Sequence, residues 1–361
     1  MKDKKILLIP FLILAISLMI DRFLTNNYFE RYYSNTLSHL NYLSKQDLYE
    51  DLKGYLKKPP SERKKVLVFL GNSRSLLFPY HELREKYPDW ILYNFSVPGG
   101  SPDYFLYWVE RITKDGLHPD FIVLDESLEI FNKTPNLALD EVLIYGVSPG
   151  FLLRHWNRYS KEQWSIFLSK RMFHSYRDRP KLWRVRERLK NDSYWANNYA
   201  AAVVNTLESL ADQKGSTSRE ANVIKLPQDQ LIKRSESDFQ SYLSPYTFHY
   251  DMLEMQRDSV ELLKKAGIPY ATIWVRVARP YFKLYGTRKT DTPDGPQIPL
   301  NVWLAEIRKF NQETDTKFWD MNNDPEYTCD DFSDPGHMSP SCYPAYGDYV
   351  FRKLSENVEP N

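Results

Sequence analysis

Three residues carry the chemistry of greatest interest: Ser73 in Gly71-Asn72-Ser73-Arg74-Ser75, and Asp334 and His337 in Asp334-Pro335-Gly336-His337-Met338-Ser339. A serine hydroxyl is a weak nucleophile that needs an adjacent base and donors for the developing oxyanion. Aspartate and histidine three positions apart, across a Pro-Gly turn, can place the carboxylate on the imidazole it orients, so that the imidazolium is supported when it takes the serine proton. Each motif also has a plainer meaning. Ser73 reads equally as a cap that starts a helix, and a lone Asp-x-x-His arises readily by chance. Metal ligation competes at the second motif, where Asp324, Asp330 and Asp331 lie nearby. No second histidine stands at ligand spacing, so the triad is preferred, with no metal and no cofactor.

The elements around these motifs give them a place. Val66–Leu70 is a short continuous apolar run of the kind buried on both faces of a parallel sheet, and it ends at the Ser73 turn. Trp90–Phe95 and Phe121–Leu124 read as second and third strands. The second closes in Val97-Pro98-Gly99-Gly100 and the third in Asp125-Glu126-Ser127. Gly99 is either a tight turn or a backbone donor to an oxyanion, and Ser127 either a helix cap or a hydroxyl donor to the same atom. Later, helices near 246–265 and 302–311 alternate with strands at 271–277 and 318–321, and a closing helix runs over about 343–355. Strand–helix alternation predicts βαβ units.

This set of blocks resembles the SGNH/GDSL hydrolase superfamily over roughly 63–130 and 246–361. The matching stretches are Gly71-Asn72-Ser73-Arg74-Ser75, Asn94 through Gly99, Asp125-Glu126-Ser127-Leu128, and Asp334 through Pro340. The resemblance implies Ser73 as nucleophile, His337 as base, Asp334 as its partner and Gly99 as an oxyanion donor. It also implies a three-layer α/β/α sandwich with a central parallel, flavodoxin-like sheet. Two positions depart from the pattern: Asn72 stands for the usual aspartate, and Ser127 where an oxyanion asparagine is expected. The α/β-hydrolase elbow wants glycine at position 75, which is serine, and no Gly-Lys-Ser/Thr follows Gly71 to make a P-loop.

The rest of the chain is divided by composition. Lysines at 2, 4 and 5 precede an apolar run, Ile6–Ile20, closed by Asp21 and Arg22. This predicts an uncleaved N-terminal transmembrane anchor over 1–24, with everything after Leu24 exported. Residues 25–62 read as a helical stalk, 63–130 and 246–361 as the two halves of the core, and 131–245 as a helical insertion. A small polar stretch at 212–219 reads as a flexible loop. In the insertion, Arg and Lys recur from 154 to 190, opposed only by Glu162, Asp178 and Glu187 and interleaved with Trp156, Trp164 and Trp183. Such a segment suits a membrane surface or an anionic polymer, or is an ordinary solvated face. Cys329 and Cys342, the only cysteines, bracket the Asp334/His337 segment and form either a disulfide or two separate thiols. With 361 residues, 42% hydrophobic, 26% charged and a net charge of +1, the chain is a folded protein without the basic excess of a nucleic-acid binder. The expected activity is an exported serine esterase acting on acyl esters of an envelope glycan or lipid. The alternatives are an acyltransferase with the same triad, or a scaffold or glycan-binding module with a decayed site.

Overall fold

The computed structural model describes residues 8–133, 140–217 and 224–357. The lysines at 2, 4 and 5, the first two residues of the apolar run and the end of the 212–219 loop lie outside the described residues. The chain divides into two compact units: residues 1–40 with 143–208, and residues 41–142 with 209–361.

The second unit holds a five-stranded parallel sheet in the order β2-β1-β3-β4-β5. Its strands are β1 (Lys65–Leu70), β2 (Trp90–Asn94), β3 (Phe121–Asp125), β4 (Tyr270–Trp274) and β5 (Phe318–Asp320). Val66 to Leu70 are wholly buried, because β1 is covered on both faces and flanked by β2 and β3; Val68 sits opposite Tyr93 on one side and Ile122 on the other. The helices Pro102–Lys114 and Tyr250–Ala266, which precede β3 and β4, pack against each other. From β1 the chain moves one way to β2 and then crosses back to β3. The carboxyl ends of β1 and β3 therefore border the crevice where such sheets place their sites.

Two expectations need correction here. The described residues are 60% helical with a small five-stranded parallel sheet, and this overturns the expected α/β/α sandwich with an N-terminal transmembrane helix. The N-terminal helix Ile9–Leu24 has 16 residues. At 1.5 Å per residue it extends roughly 24 Å, short of the ~30 Å hydrocarbon core. Its last turn is polar for a reason: the buried Asp21 carboxylate accepts hydrogen bonds from the backbone N–H of His174 (2.7 Å) and Ser175 (2.9 Å). Among the described residues no helix is long and apolar enough to cross a membrane.

The stalk is also not a stalk. Within 25–62, the helix Leu40–Leu56 belongs to the sheet-bearing unit and buries Tyr42, Lys45, Tyr49 and Leu52. Lys45 is the unusual member of that stripe. Its ammonium donates to the carbonyls of Asn94 (2.8 Å) and Gly215 (2.7 Å), and burial pulls it down to about 7. That bond fixes the start of the 212–219 stretch, whose Gly215 and Ser216 are buried. The insertion expected over 131–245 divides likewise. Residues 143–208 fall in the first unit, whereas 209–245, including the helix Gln228–Tyr242, belong with the sheet.

Among the described residues, the regular secondary structure of the first unit is helical. Besides the contact at Asp21, Arg188 Nη1 donates to the carbonyls of Arg31 (3.1 Å) and Ser34 (2.6 Å). This satisfies acceptors at the end of the helix Asn27–Tyr33, where a cation is favoured.

Candidate active site

β1 is followed by Gly71, Asn72 and a single 3₁₀ turn, Ser73–Ser75. The turn is held from several sides. Asn72 Oδ1 accepts from Arg74 N–H (2.8 Å), and Asn72 Nδ2 donates to Ser127 Oγ (2.8 Å) at the end of β3. Asn94 Nδ2 donates to Ser75 O (2.8 Å), and on the closing helix Tyr343–Asn357, Tyr343 Oη donates to Arg74 O (2.9 Å). The Val97–Gly100 turn lies directly against it, with Val97 N–H on Gly71 O (3.1 Å). A Cβ on Gly100 would sit 2.2 Å from Gly71 O, so only glycine allows this approach. Gly99, with φ 67°, lines the same cavity as Ser73.

The Asp334–His337 turn comes from a loop pinned at both ends. Cys329 and Cys342 form a disulfide with Cα atoms 5.6 Å apart. Arg276, just after β4, donates to Asp330 Oδ1 (3.0 and 2.6 Å) and to Tyr327 O (2.6 Å), and Ala278 N–H donates to Pro335 O (2.9 Å). Within the turn, Asp334 Oδ1 accepts from the N–H groups of Gly336 and His337, both at 2.9 Å.

These two turns meet. Ser73 Oγ lies 2.7 Å from His337 Nε2, and His337 Nδ1 lies 2.9 Å from both Asp334 oxygens. A carboxylate only accepts, so Nδ1 carries the hydrogen and Nε2 is the acceptor for the serine hydroxyl. Burial pushes the Asp334 carboxyl up, but the imidazole and the two backbone N–H groups outweigh it, and the net shift is downward. Asp334 thus stays ionised.

Ser127 does not fill the role the sequence offered it. Its hydroxyl donates to Asp125 Oδ1 at 2.7 Å and accepts from Asn72, so its hydrogen is committed away from any oxyanion. The cause is Asp125, a fully buried carboxyl at the end of β3 that burial raises to about 6, against the Ser127 bond and the Arg74 charge. Ser127 is a strut between β3 and the Ser73 turn. The same network explains position 72: an aspartate there could not donate to Ser127 Oγ.

Several residues of the cavity had no place in the motif reading. Arg74 pairs with Glu129 in the interior (2.5 Å), and Tyr285 Oη donates to the same Glu129 oxygen. Burial opposes both charges, but their mutual attraction prevails: Glu129 is lowered and Arg74 raised. The only signal in sequence was a glutamate inside Leu128–Phe131. Arg234, Asp238 and Tyr242, spaced four apart on the helix Gln228–Tyr242, line the same cavity of about 290 Å³ as Ser73 and His337. Burial, reinforced by Asp334 and Glu129, raises Asp238 to about 6.

Comparison with known proteins adds the family but no chemistry. No curated protein matches the chain. The sequence model of the family described as "Protein of unknown function (DUF1574)" matches residues 1–354, a span that includes both site turns and all five strands, and the chain therefore belongs to that family.

Proposed function

We propose that the protein is a serine ester hydrolase that works through an acyl-enzyme. The observation that carries this reading is the continuous line Ser73 Oγ–His337 Nε2, His337 Nδ1–Asp334, at 2.7 and 2.9 Å beside a cavity. In the reaction Ser73 Oγ attacks the ester carbonyl while His337 takes its proton, and collapse of the tetrahedral adduct expels the alcohol, protonated by His337. Water then attacks the acyl-serine with His337 as base, releasing the acid and restoring the serine. The N–H groups of Ser73 and Gly99 are the oxyanion donors in this scheme, and Ser127 is not one. A site with one donor fewer gives up about 100- to 1000-fold in turnover.

The resemblance to SGNH/GDSL enzymes supports the same chemistry, and the Cys329–Cys342 bridge fits an oxidising, exported location. Acyl esters of an envelope glycan or lipid are the corresponding substrates. One feature favours transfer over hydrolysis as a second reading. The stripe Arg234–Asp238–Tyr242, joined by Tyr281, makes the cavity wall polar and aromatic, which suits a hydroxyl-rich acceptor in place of water.

Labelling with a fluorophosphonate tests the shared step. Wild type should form a covalent adduct that Ser73→Ala and His337→Ala do not; equal labelling of Ser73→Ala overturns the reading. Release of p-nitrophenol from its acetate, with and without added polyol, separates transfer from hydrolysis by whether free acetate falls while phenol release does not.

A further inference from the structure

The first unit leaves apolar side chains in water on a scale the second does not. On the helix Ile9–Leu24, Phe11 is 70% exposed and Phe23 64%, and exposed residues lie on all sides of it. Its packing partner is the helix His174–Asp178, reached through the Asp21 end. The helix Leu182–Lys190 repeats the pattern, with Leu182 80% and Trp183 60% exposed. Fully burying one such side chain gains about 1.5–3 kcal/mol, so a surface of this kind is stabilised by an apolar covering.

Charge identifies the covering. The apolar residues of the helix Leu182–Lys190 are interleaved with Arg184, Arg186, Arg188 and Lys190, and the Arg184 guanidinium lies over the Trp183 ring, 5.1 Å from its centroid. From 154 to 190 only three acidic residues oppose the Arg/Lys series. A second copy of the same surface would bring like charges together. A bilayer with anionic headgroups offers both an apolar interior and the opposite charge, and aromatic and aliphatic side chains beside Arg and Lys are what the headgroup boundary accepts.

We infer that the first unit is a membrane-surface module. It seats the helix Ile9–Leu24 and the Leu182/Trp183 edge in the headgroup region of an anionic bilayer without crossing it. Among the described residues the helix is too short to span, and its polar last turn is tied to protein.

Flotation of the full chain with vesicles tests this. Vesicles of phosphatidylcholine with phosphatidylglycerol should carry the protein, and vesicles of phosphatidylcholine alone should carry at least tenfold less. Added salt should release it. Each basic residue removed at such a surface weakens binding about fivefold, so Arg186→Gln/Lys190→Gln, two exposed positions, should lose about 25-fold on anionic vesicles. Leu182→Ser/Trp183→Ser should weaken binding to the same vesicles, with unchanged circular dichroism showing that the variant folds. Equal binding to both vesicle types combined with resistance to alkaline carbonate would mean a spanning segment and would overturn the inference. So would absence of binding to either, or a salt-stable dimer whose formation the Leu182/Trp183 variant abolishes.

Discussion

The two units of this chain put their large side chains to opposite uses. Among the described residues of the sheet-bearing unit, Leu43, Ile224, Ile232 and Tyr250 are the only large apolar side chains left exposed. The tyrosines around the site are drawn inside and given partners: Tyr343 and Tyr346 grip the Ser73 turn, and Tyr285 holds Glu129. The helical unit keeps Phe11, Trp156, Leu182 and Trp183 in contact with solvent. A site of the proposed kind needs rigid surroundings, because a reacting group displaced by 1 Å loses much of its rate. A surface made to dock needs the reverse. High aromatic content therefore meant two things in one sequence, and only burial separates them.

The contrast can be broken at its strongest point first. His337→Ala should lower ester turnover by about 10⁴-fold or more and leave vesicle binding unchanged, since the base belongs to one unit and the exposed surface to the other. Next comes the charge inside the sheet unit. Lys45 sits near 7 when folded and near 10.5 when unfolded. Between those values the unfolded chain binds more protons, so stability should rise with pH across that window, by an amount on the order of 5 kcal/mol from this group alone. Urea melts from pH 7 to 10 should show that rise, and Lys45→Met should flatten it. Arg74→Met strands a buried Glu129 and should cost about 3–5 kcal/mol, with Arg74→Met/Glu129→Leu recovering part of the loss. Cys329→Ser opens the loop that carries Asp334 and His337, which should cost about 3 kcal/mol and lower turnover as well. At the small end, Trp183→Ser should change stability by less than about 0.5 kcal/mol. A larger loss would show that the exposed edge serves the fold, and the contrast between the units would fail.

Much of the site could be read from the chain because it is local. The Val66–Leu70 run announces a central strand, Ser73 follows it at once, and Asp334 and His337 are within one turn of each other. What escaped depends on partners far away. Ser127 has the right chemistry for an oxyanion donor, but the buried carboxyl of Asp125, two residues before it, takes its hydrogen. The helix Leu40–Leu56 read as part of a stalk because 25–62 is largely polar; its buried stripe includes Lys45, held there by the carbonyls of Asn94 and Gly215. Arg234, Asp238 and Tyr242 share a face by spacing alone. Nothing nearby tells that this face looks onto Ser73. The apolar run at the N-terminus gave hydrophobicity without length, and Asp21, which ends it, serves the helix His174–Asp178.

The hydrogen bond between Ser73 and His337 joins positions 264 residues apart in the chain. Closing so long a loop has a large entropic cost, and parallel strands pair only after their crossovers are in place. On the proposed mechanism, Ser73 is therefore inert in every partly folded form in which the Asp334–His337 loop has not yet docked beside it. His337 follows Ser73 by 264 residues, so during synthesis a nascent chain carries the Ser73 turn well before the imidazole that pairs with it. Reactivity toward a fluorophosphonate then measures the completed fold, and its first appearance in a refolding experiment marks the step at which the two ends of the sheet-bearing unit meet.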